Sequence, residues 1–110
     1  MQARKFTVQP YAGGEEVTFY EVPPCELRAT VAFKGDSDYE QLSDIERNYL
    51  VGIAFCILSG RRRGYADVLG MPSKLTAASC IEWAGDYAVG IEASDIPTGE
   101  VEKNPTGAKE

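Results

Sequence analysis

The sequence has 110 residues, of which 44% are hydrophobic and 25% are charged, and it carries a net charge of −6 at pH 7. This length supports one domain with one hydrophobic core, and the composition excludes fibrous and disordered proteins. The first ten residues lack the apolar run of a signal peptide, and no segment reaches the ~20 apolar residues that cross a bilayer. We therefore expect a cytoplasmic protein without a membrane span.

The N-terminal part predicts a β-hairpin. Residues 5–9 and residues 17–22 each alternate side chains between two faces, which is the period-two pattern of a strand. Gly13 and Gly14 lie between the two runs and accept the positive φ angles that tight hairpin turns require. Pro23 ends the second run, because proline has no amide hydrogen to donate to a neighbouring strand.

Residues 27–33, LRATVAF, show the clearest period-two pattern in the chain. The residues on one face are Leu27, Ala29, Val31 and Phe33. This alternation is typical of a strand with one buried face. With the hairpin, it predicts a three-stranded antiparallel meander.

A long helix is expected over residues 37–58. Its apolar side chains recur three or four residues apart, which is the spacing that lines one face of an α-helix. They are Leu42, Ile45, Tyr49, Ile53, Cys56 and Ile57. From residue 51 to residue 58 the polar face almost disappears, so we expect this half to be buried on all sides by the rest of the domain or by a partner chain.

Both ends of this helix carry capping signals. The S-x-x-E pattern of a capping box occurs twice, at residues 37–40 and at residues 43–46, so the helix has two possible starts. Gly60 is expected to end the helix in the left-handed conformation. The arginines that follow it suit the negative end of the helix dipole.

A second helix is expected to begin at Pro72 or Ser73 and to run toward Ile91. Its small apolar side chains would allow close antiparallel packing on the first helix. That face consists of Ala77, Ile81, Ala84, Ala88 and Ile91. Trp83 and Tyr87 lie four residues apart on another face, where we expect them to complete the core; the alternative is an exposed anchor for a partner.

Together these elements predict an α+β fold in the order βββαα, with a three-stranded antiparallel β-meander followed by two antiparallel helices. Residues 1–92 form this single domain. Residues 93–110 have little apolar content and are expected to be a flexible acidic tail. A small sheet with two open edges favours self-association, so a homo-oligomer is one expectation.

The residue types that most catalytic and metal sites need are scarce. The chain has no histidine, the commonest general base and metal ligand, so we expect a non-enzymatic protein without a metal or cofactor. Residues 36–40 resemble the start of a calcium loop, but Gln41 and Arg47 occupy the positions of its glycine and its last glutamate. The three cysteines, Cys25, Cys56 and Cys80, lack zinc-site spacing and are expected to be reduced core thiols.

Charge is unevenly distributed along the chain. Residues 36–60 hold five acids and one arginine, and three arginines follow directly. Because the broad basic face of a nucleic-acid-binding protein is missing, we expect the partner to be another protein. The charged candidates for its binding site are Asp36, Asp38, Glu40, Asp44, Glu46, Arg61, Arg62 and Arg63, and the apolar candidates are Ile53, Ile57, Trp83 and Tyr87. The alternative is a purely structural role, in which the acids and arginines only complement the charges at the two ends of the helix dipole.

Residues 51–92 contain an apolar helix, a polar turn, the segment YADVLG, a proline and an alanine-rich helix. This order resembles the tail assembly chaperones of long-tailed phages, in which such a helix pair follows an N-terminal β-segment. The family has a helix where residues 27–33 predict a strand. The resemblance implies no catalytic residues, and it implies core positions at Ile53, Ile57, Leu69, Ile81 and Ala84. The implied function is to bind the tape-measure protein and to shield its apolar helices during tail assembly.

Three non-catalytic functions therefore stand side by side. The first is a tail assembly chaperone or accessory assembly factor. The second is a small acidic phage inhibitor of a host defence complex, of the anti-CRISPR type, whose carboxylates mimic nucleic acid, or an immunity protein against a toxin. The third is a structural subunit that forms homo-oligomers. In each case the partner is a protein, either of phage assembly or of the host, and the site of action is the cytoplasm of the host cell if the chain is phage-encoded.

Overall fold

The computed structural model describes residues 2–22 and 26–95. The elements in chain order are β1 (Gln2–Pro10), β2 (Val17–Glu21), α1 (Glu26–Thr30), α2 (Ser37–Glu40), α3 (Asp44–Arg62), α4 (Ala77–Ala84) and β3 (Tyr87–Asp95). The three strands form one antiparallel sheet, so the α+β class is confirmed. The predicted order βββαα is wrong, because the third strand of the sheet follows the helices.

β1 is the central strand of the sheet. β2 and β3 both pair with it in antiparallel orientation, which gives the strand order β2-β1-β3. Phe6 lies opposite Phe19 of β2 and opposite Ile91 of β3, so these three side chains share one face of the sheet. The predicted hairpin turn is confirmed, with φ angles of +106° at Gly13 and +133° at Gly14.

Residues 27–33 do not form the predicted strand. α1 occupies the start of this segment, and turns follow it as far as Gly35. Ala29 and Phe33 are buried, whereas Val31 is 62% exposed. Because positions four apart lie on one side of a helix as well as on one face of a strand, the alternating pattern satisfied both structures. In the predicted meander this segment would pair with β2, but the third strand of the sheet is β3, and it pairs with β1.

The second predicted helix is much shorter than expected. Thr76 caps α4 through a reciprocal capping box with Ser79, and the helix ends at Gly85. Residues 87–95 then form β3, so the residues predicted as the end of a helix and the start of a tail lie in the sheet. Ile81 and Ile91, both predicted in the helix core, are 51% and 39% exposed. Residues 96–110 of the predicted tail lie outside the described residues.

The start of the central helix uses the second of its two capping boxes. The Glu46 amide donates to Ser43 Oγ over 3.3 Å, and the Ser43 amide donates to Glu46 Oε1 over 2.9 Å. The first start forms only the single turn α2, and its cap is Asp36 rather than Ser37. Ile45 and Tyr49, predicted on the buried face, are 82% and 56% exposed.

The end of α3 lies beyond the predicted stop at Gly60. The Tyr65 amide donates to the Gly60 carbonyl over 2.8 Å, and the Gly64 amide donates to the Arg61 carbonyl over 3.2 Å. These two bonds form a Schellman motif, in which Gly64 takes a left-handed φ of +86°. Gly60 instead lies inside the helix, where the Met71 side chain packs against it.

The core lies between α3 and the inner face of the sheet. The Phe6 ring stacks on Phe19 with centroids 5.3 Å apart, and it meets the Phe55 ring edge-on at 5.0 Å. All side chains from residue 53 to residue 57 are buried, which confirms that part of the prediction for residues 51–58; Val51, Gly52 and Leu58 are only partly buried. None of the helices within residues 2–22 and 26–95 has the length and hydropathy needed to cross a membrane.

Two of the three cysteines are free thiols in the core, as predicted. Cys56 and Cys80 are both buried. Burial disfavours the thiolate and raises the pKa of Cys56 to about 12 and the pKa of Cys80 to about 11. Cys25 lies outside the described residues.

We expect Gly64→Ala to lower the free energy of unfolding by about 1–2 kcal/mol, because a Cβ atom is strained at a left-handed φ. Gly85→Ala is the matched control. Gly85 has a φ of −69°, and a Cβ there would lie 3.4 Å from the nearest atom, the Glu82 carbonyl oxygen. Alanine at this position should therefore raise stability slightly. Urea titration of both variants measures the two changes; equal effects would contradict the assigned end of α3.

The buried thiols should resist alkylation in the folded protein. The test uses the Cys25→Ser variant, so that only Cys56 and Cys80 are counted, and iodoacetamide at about pH 8, where an ordinary thiol is partly ionised. Mass spectrometry should detect no adduct in the native protein and two adducts after unfolding in guanidinium chloride. Rapid native labelling of either thiol would contradict the placement of that cysteine.

Candidate interaction surface

The four apolar candidates belong to the core rather than to a free surface. Ile53 and Ile57 of α3 are completely enclosed. Trp83 is buried, and its Nε1 donates to the Leu69 carbonyl over 2.8 Å. Tyr87 is half-buried and stacks on the Trp83 ring with centroids 4.8 Å apart. A partner protein would reach Ile53, Ile57 and Trp83 only if the domain opened, whereas Tyr87 is partly accessible.

The three candidate arginines are held by the protein itself. Arg61 Nη2 donates to the Pro72 carbonyl. Arg62 Nε lies 3.4 Å from Oε1 of Glu21, a carboxylate that is buried on the inner face of β2. Arg63 is buried at the end of α3. A cavity of about 220 Å³ is lined by Arg28, Leu58, Ser59, Arg61 and Arg62. Arg61 and Arg62 already contact Pro72 and Glu21, so fewer of their N–H groups are left to bind an anion in this cavity.

Asp36 has a structural role that connects two helices. Its Oδ1 accepts from the amides of Asp38 and Tyr39 at 3.0 and 3.2 Å, which caps α2. Its Oδ2 accepts from the amide of Ala77, the first residue of α4, at 2.8 Å. The bond from Ala77 is the main reason that the pKa of Asp36 lies below its ordinary value. One carboxylate therefore holds the starts of α2 and α4 together.

Arg47 holds the other end of α2. Its Nε donates to the Tyr39 carbonyl over 3.3 Å, and its Nη2 donates to the Glu40 carbonyl. The guanidinium carbon also lies 5.8 Å from the centre of the Tyr39 ring. Cationic donors stabilise the carbonyl end of a helix, so this contact compensates for the shortness of α2.

The remaining acids of this segment divide into two groups. Glu46 closes the capping box of α3, and the Ser43 amide lowers its pKa. Asp38, Glu40 and Asp44 are exposed, and the Asp44 carboxylate is 3.8 Å from Arg47. Of the five predicted binding acids, the structure thus commits two to helix caps and presents three to solvent.

An open groove lies between α2 and α4. Its volume is about 740 Å³, and it is lined by Asp38, Leu42, Thr76, Ala78, Ser79, Ile81 and Glu82. The apolar lining comes from Leu42, Ala78 and Ile81, while Asp38 and Glu82 are exposed carboxylates. Sequence reasoning missed this groove because it placed Ile81 in the core of a helix pair. No local signal could have revealed it, because Ile81 follows Ala77 by four residues and precedes Ala84 by three, which is the spacing of a single helix face.

Comparisons with protein families, with curated proteins and with solved structures found no match to this chain. Within the described residues, no group of three or more cysteines or acids is arranged to hold a metal ion. The function proposed below therefore depends on the geometry of the groove and on its charge.

Asp36→Asn should lower the melting temperature at pH 7, because the amide keeps only one acceptor oxygen and one of the two helices loses its bond. Asp38→Asn is the control, since the Asp38 side chain is exposed. Folding lowers the pKa of Asp36 below its ordinary value of 3.8. The ionised carboxylate therefore stabilises the protein fully at a pH above 3.8, and this stabilisation is lost as the pH falls through the lower pKa of the folded state. The difference between wild type and Asp36→Asn should therefore shrink in acid. A difference that is constant from pH 7 to strong acid would contradict this role.

Proposed function

We propose that this protein is a non-enzymatic binding module that holds a basic amphipathic segment of another protein in the groove between α2 and α4. The observation that carries the proposal is the combination of an exposed apolar lining with carboxylates beside it. Such a groove fits a helix or extended segment that has apolar side chains on one face and lysines or arginines next to them.

The apolar part of the groove supplies a reason for binding. Ile81 is half exposed, whereas Trp83, the other large apolar side chain of α4, is buried. Leu42 is partly buried next to the core, and Ala78 leaves room beside them. Covering apolar surface of this kind stabilises a complex by about 25 cal/mol for each Å² removed from water. Rimmed by polar residues, it has the character of an interaction site.

The charge of the groove selects the partner. Asp38 and Glu82 are exposed on the two helices that form its sides, and the chain as a whole carries a charge of −6. A negative field accelerates the encounter with a basic segment and opposes an acidic one. This argument favours a basic partner protein and disfavours nucleic acid.

Side-chain hydrogen bonds connect the two sides of the groove. The Asp36 carboxylate bonds to both helix starts, and Arg47 bonds to both carbonyls at the end of α2. A surface that is already ordered before binding loses less conformational entropy in the complex. The structure between residues 36 and 47 thus supports recognition of a defined segment.

Two biological roles fit such a module. A tail assembly chaperone would use the groove to cover an apolar helix of an assembly partner, and the helix α1 lies where that family has one. An acidic inhibitor of a host complex would use the exposed carboxylates of Asp38, Glu40 and Asp44. We favour the chaperone role, because the groove is largely apolar and only three of the five acids point to solvent without serving as caps.

The binding test uses a synthetic helical peptide of leucine and lysine with one apolar face, titrated into the full chain and followed by methyl NMR. We expect shifts at Leu42 and Ile81. Ile81→Ser should weaken binding about 10-fold, because it removes an apolar contact worth roughly 1–2 kcal/mol. The matched control is Ile45→Ser, which makes the same substitution at an exposed isoleucine outside the groove. Equal losses from the two variants would contradict the groove as the binding site.

Charge is tested with Asp38→Lys and with Asp86→Lys as its control, since both aspartates are exposed but only Asp38 lines the groove. The first variant should weaken binding several-fold more than the second. Raising the salt to about 0.5 M distinguishes the two roles, because exposed charges are screened at high salt and apolar contacts are not. Binding that persists supports the chaperone role, and binding that is lost supports the inhibitor role.

A further inference from the structure

β3 is a long edge strand. It pairs with β1 without interruption from Tyr87, opposite Pro10, to Asp95, opposite Gln2. No strand within residues 2–22 and 26–95 pairs with its outer edge. Every second backbone amide and carbonyl along that edge is therefore directed away from the sheet and toward solvent.

The usual protections of an edge strand are missing from β3. Residues 87–93, YAVGIEA, contain neither proline nor lysine, and the register with β1 has no bulge. The single charged residue of this segment is Glu92, and its carboxylate lies 3.9 Å from Lys5 Nζ on the neighbouring strand. The opposite edge of the sheet differs, because β2 has only five residues.

An exposed apolar strip runs beside this edge. Ile91 shares the inner face of the sheet with Phe6, yet it is 39% exposed. Its Cδ1 lies close to α3, since a Cβ placed on Gly52 would be only 3.2 Å away. Tyr49 and Ile45 precede Gly52 by three and seven residues, so they lie on the same side of α3. Both are more than half exposed.

We propose that a second copy of this chain pairs with β3 in antiparallel orientation, joining two sheets into one of six strands. A two-fold axis at Gly90 places Val89 opposite Ile91 of the second copy and Ala88 opposite Glu92 of the second copy. No like charges then face each other across residues 87–93, and the inner faces stay aligned. The strips of Ile45, Tyr49 and Ile91 meet across the same axis, as an isologous interface requires.

β3 is complementary to β3 of a second copy, so a second copy fits this edge better than an unrelated segment. The pairing uses backbone bonds along the strand and apolar contacts beside it, and both are duplicated by the two-fold axis. This surface shares no lining residue with the groove between α2 and α4. Dimer formation and groove binding therefore succeed or fail separately.

Analytical ultracentrifugation of the full chain measures the assembly. We expect a species of twice the chain mass of 12.0 kDa at protein concentrations of tens of micromolar. Ile45→Asp should weaken dimerisation at least 10-fold, because the axis brings two carboxylates into an apolar contact, while circular dichroism stays native. Ile81→Asp is the control and should leave the dimer intact. A monomer at all concentrations, or a dimer that Ile45→Asp does not weaken, overturns the proposal.

The register is tested by oxidation of Gly90→Cys in the Cys25→Ser background. A Cβ at Gly90 meets no atom closer than 3.8 Å, so cysteine fits there. The two sulfurs face each other across the axis at a distance that a disulfide spans, and a covalent dimer should form rapidly. Glu92→Cys is the control, because residue 92 faces residue 88 of the second copy in this register, four residues away from the other introduced cysteine. Equal crosslinking of both variants, or of neither, overturns the pairing at Gly90 and leaves a different interface or a heterologous partner.

Discussion

The architecture depends on one constraint, which is that the first strand of the chain is the central strand of the sheet. Buried backbone amides and carbonyls need partners, so β1 requires a strand on each side. β2 follows it after the connection at residues 11–16, but the second partner is β3, which comes after all the described helices. The described helices between β2 and β3 therefore return the chain to the remaining edge of β1, with α3 forming a layer over the sheet. The buried half of α3 fills this layer, with Phe55 against Phe6.

Local signals were enough for the elements that one strong pattern determines. The hairpin, the Ser43 capping box and the buried part of α3 depend on residues close in sequence. The hairpin and the buried part were predicted, and the Ser43 box was one of the two predicted starts of the helix. The strand at residues 27–33 and the long second helix were predicted wrongly for a common reason. Ala29 and Phe33 fit either a strand or a helix, and residues 87–91 fit either an alanine-rich helix or a strand. The pairing of β3 with β1 decides the second case, and a contact so distant in sequence leaves no local signal.

The acidic segment shows the same limit for the candidate site. Its five acids look alike in the sequence, yet Asp36 bonds three backbone amides, Glu46 closes a capping box, and Asp38 stands exposed at the groove. The bond from the Ala77 amide to Asp36 joins residues forty-one positions apart, which only the folded chain can bring together. The sequence could therefore predict an acidic surface, but it could not divide the acids into those that build the groove and those that line it.

The position of β3 at the end of the domain has a consequence for synthesis. Ribosomes add roughly 5–20 residues per second, so several seconds separate the appearance of β1 from that of its last partner. During that interval one edge of β1 and the apolar face around Phe6 have no native strand to cover them. Contacts between distant parts of a chain also slow folding, since loop closure precedes the stabilising contacts. The nascent protein thus passes through a half-built sheet, and its exposure to aggregation ends only when residues 87–95 arrive.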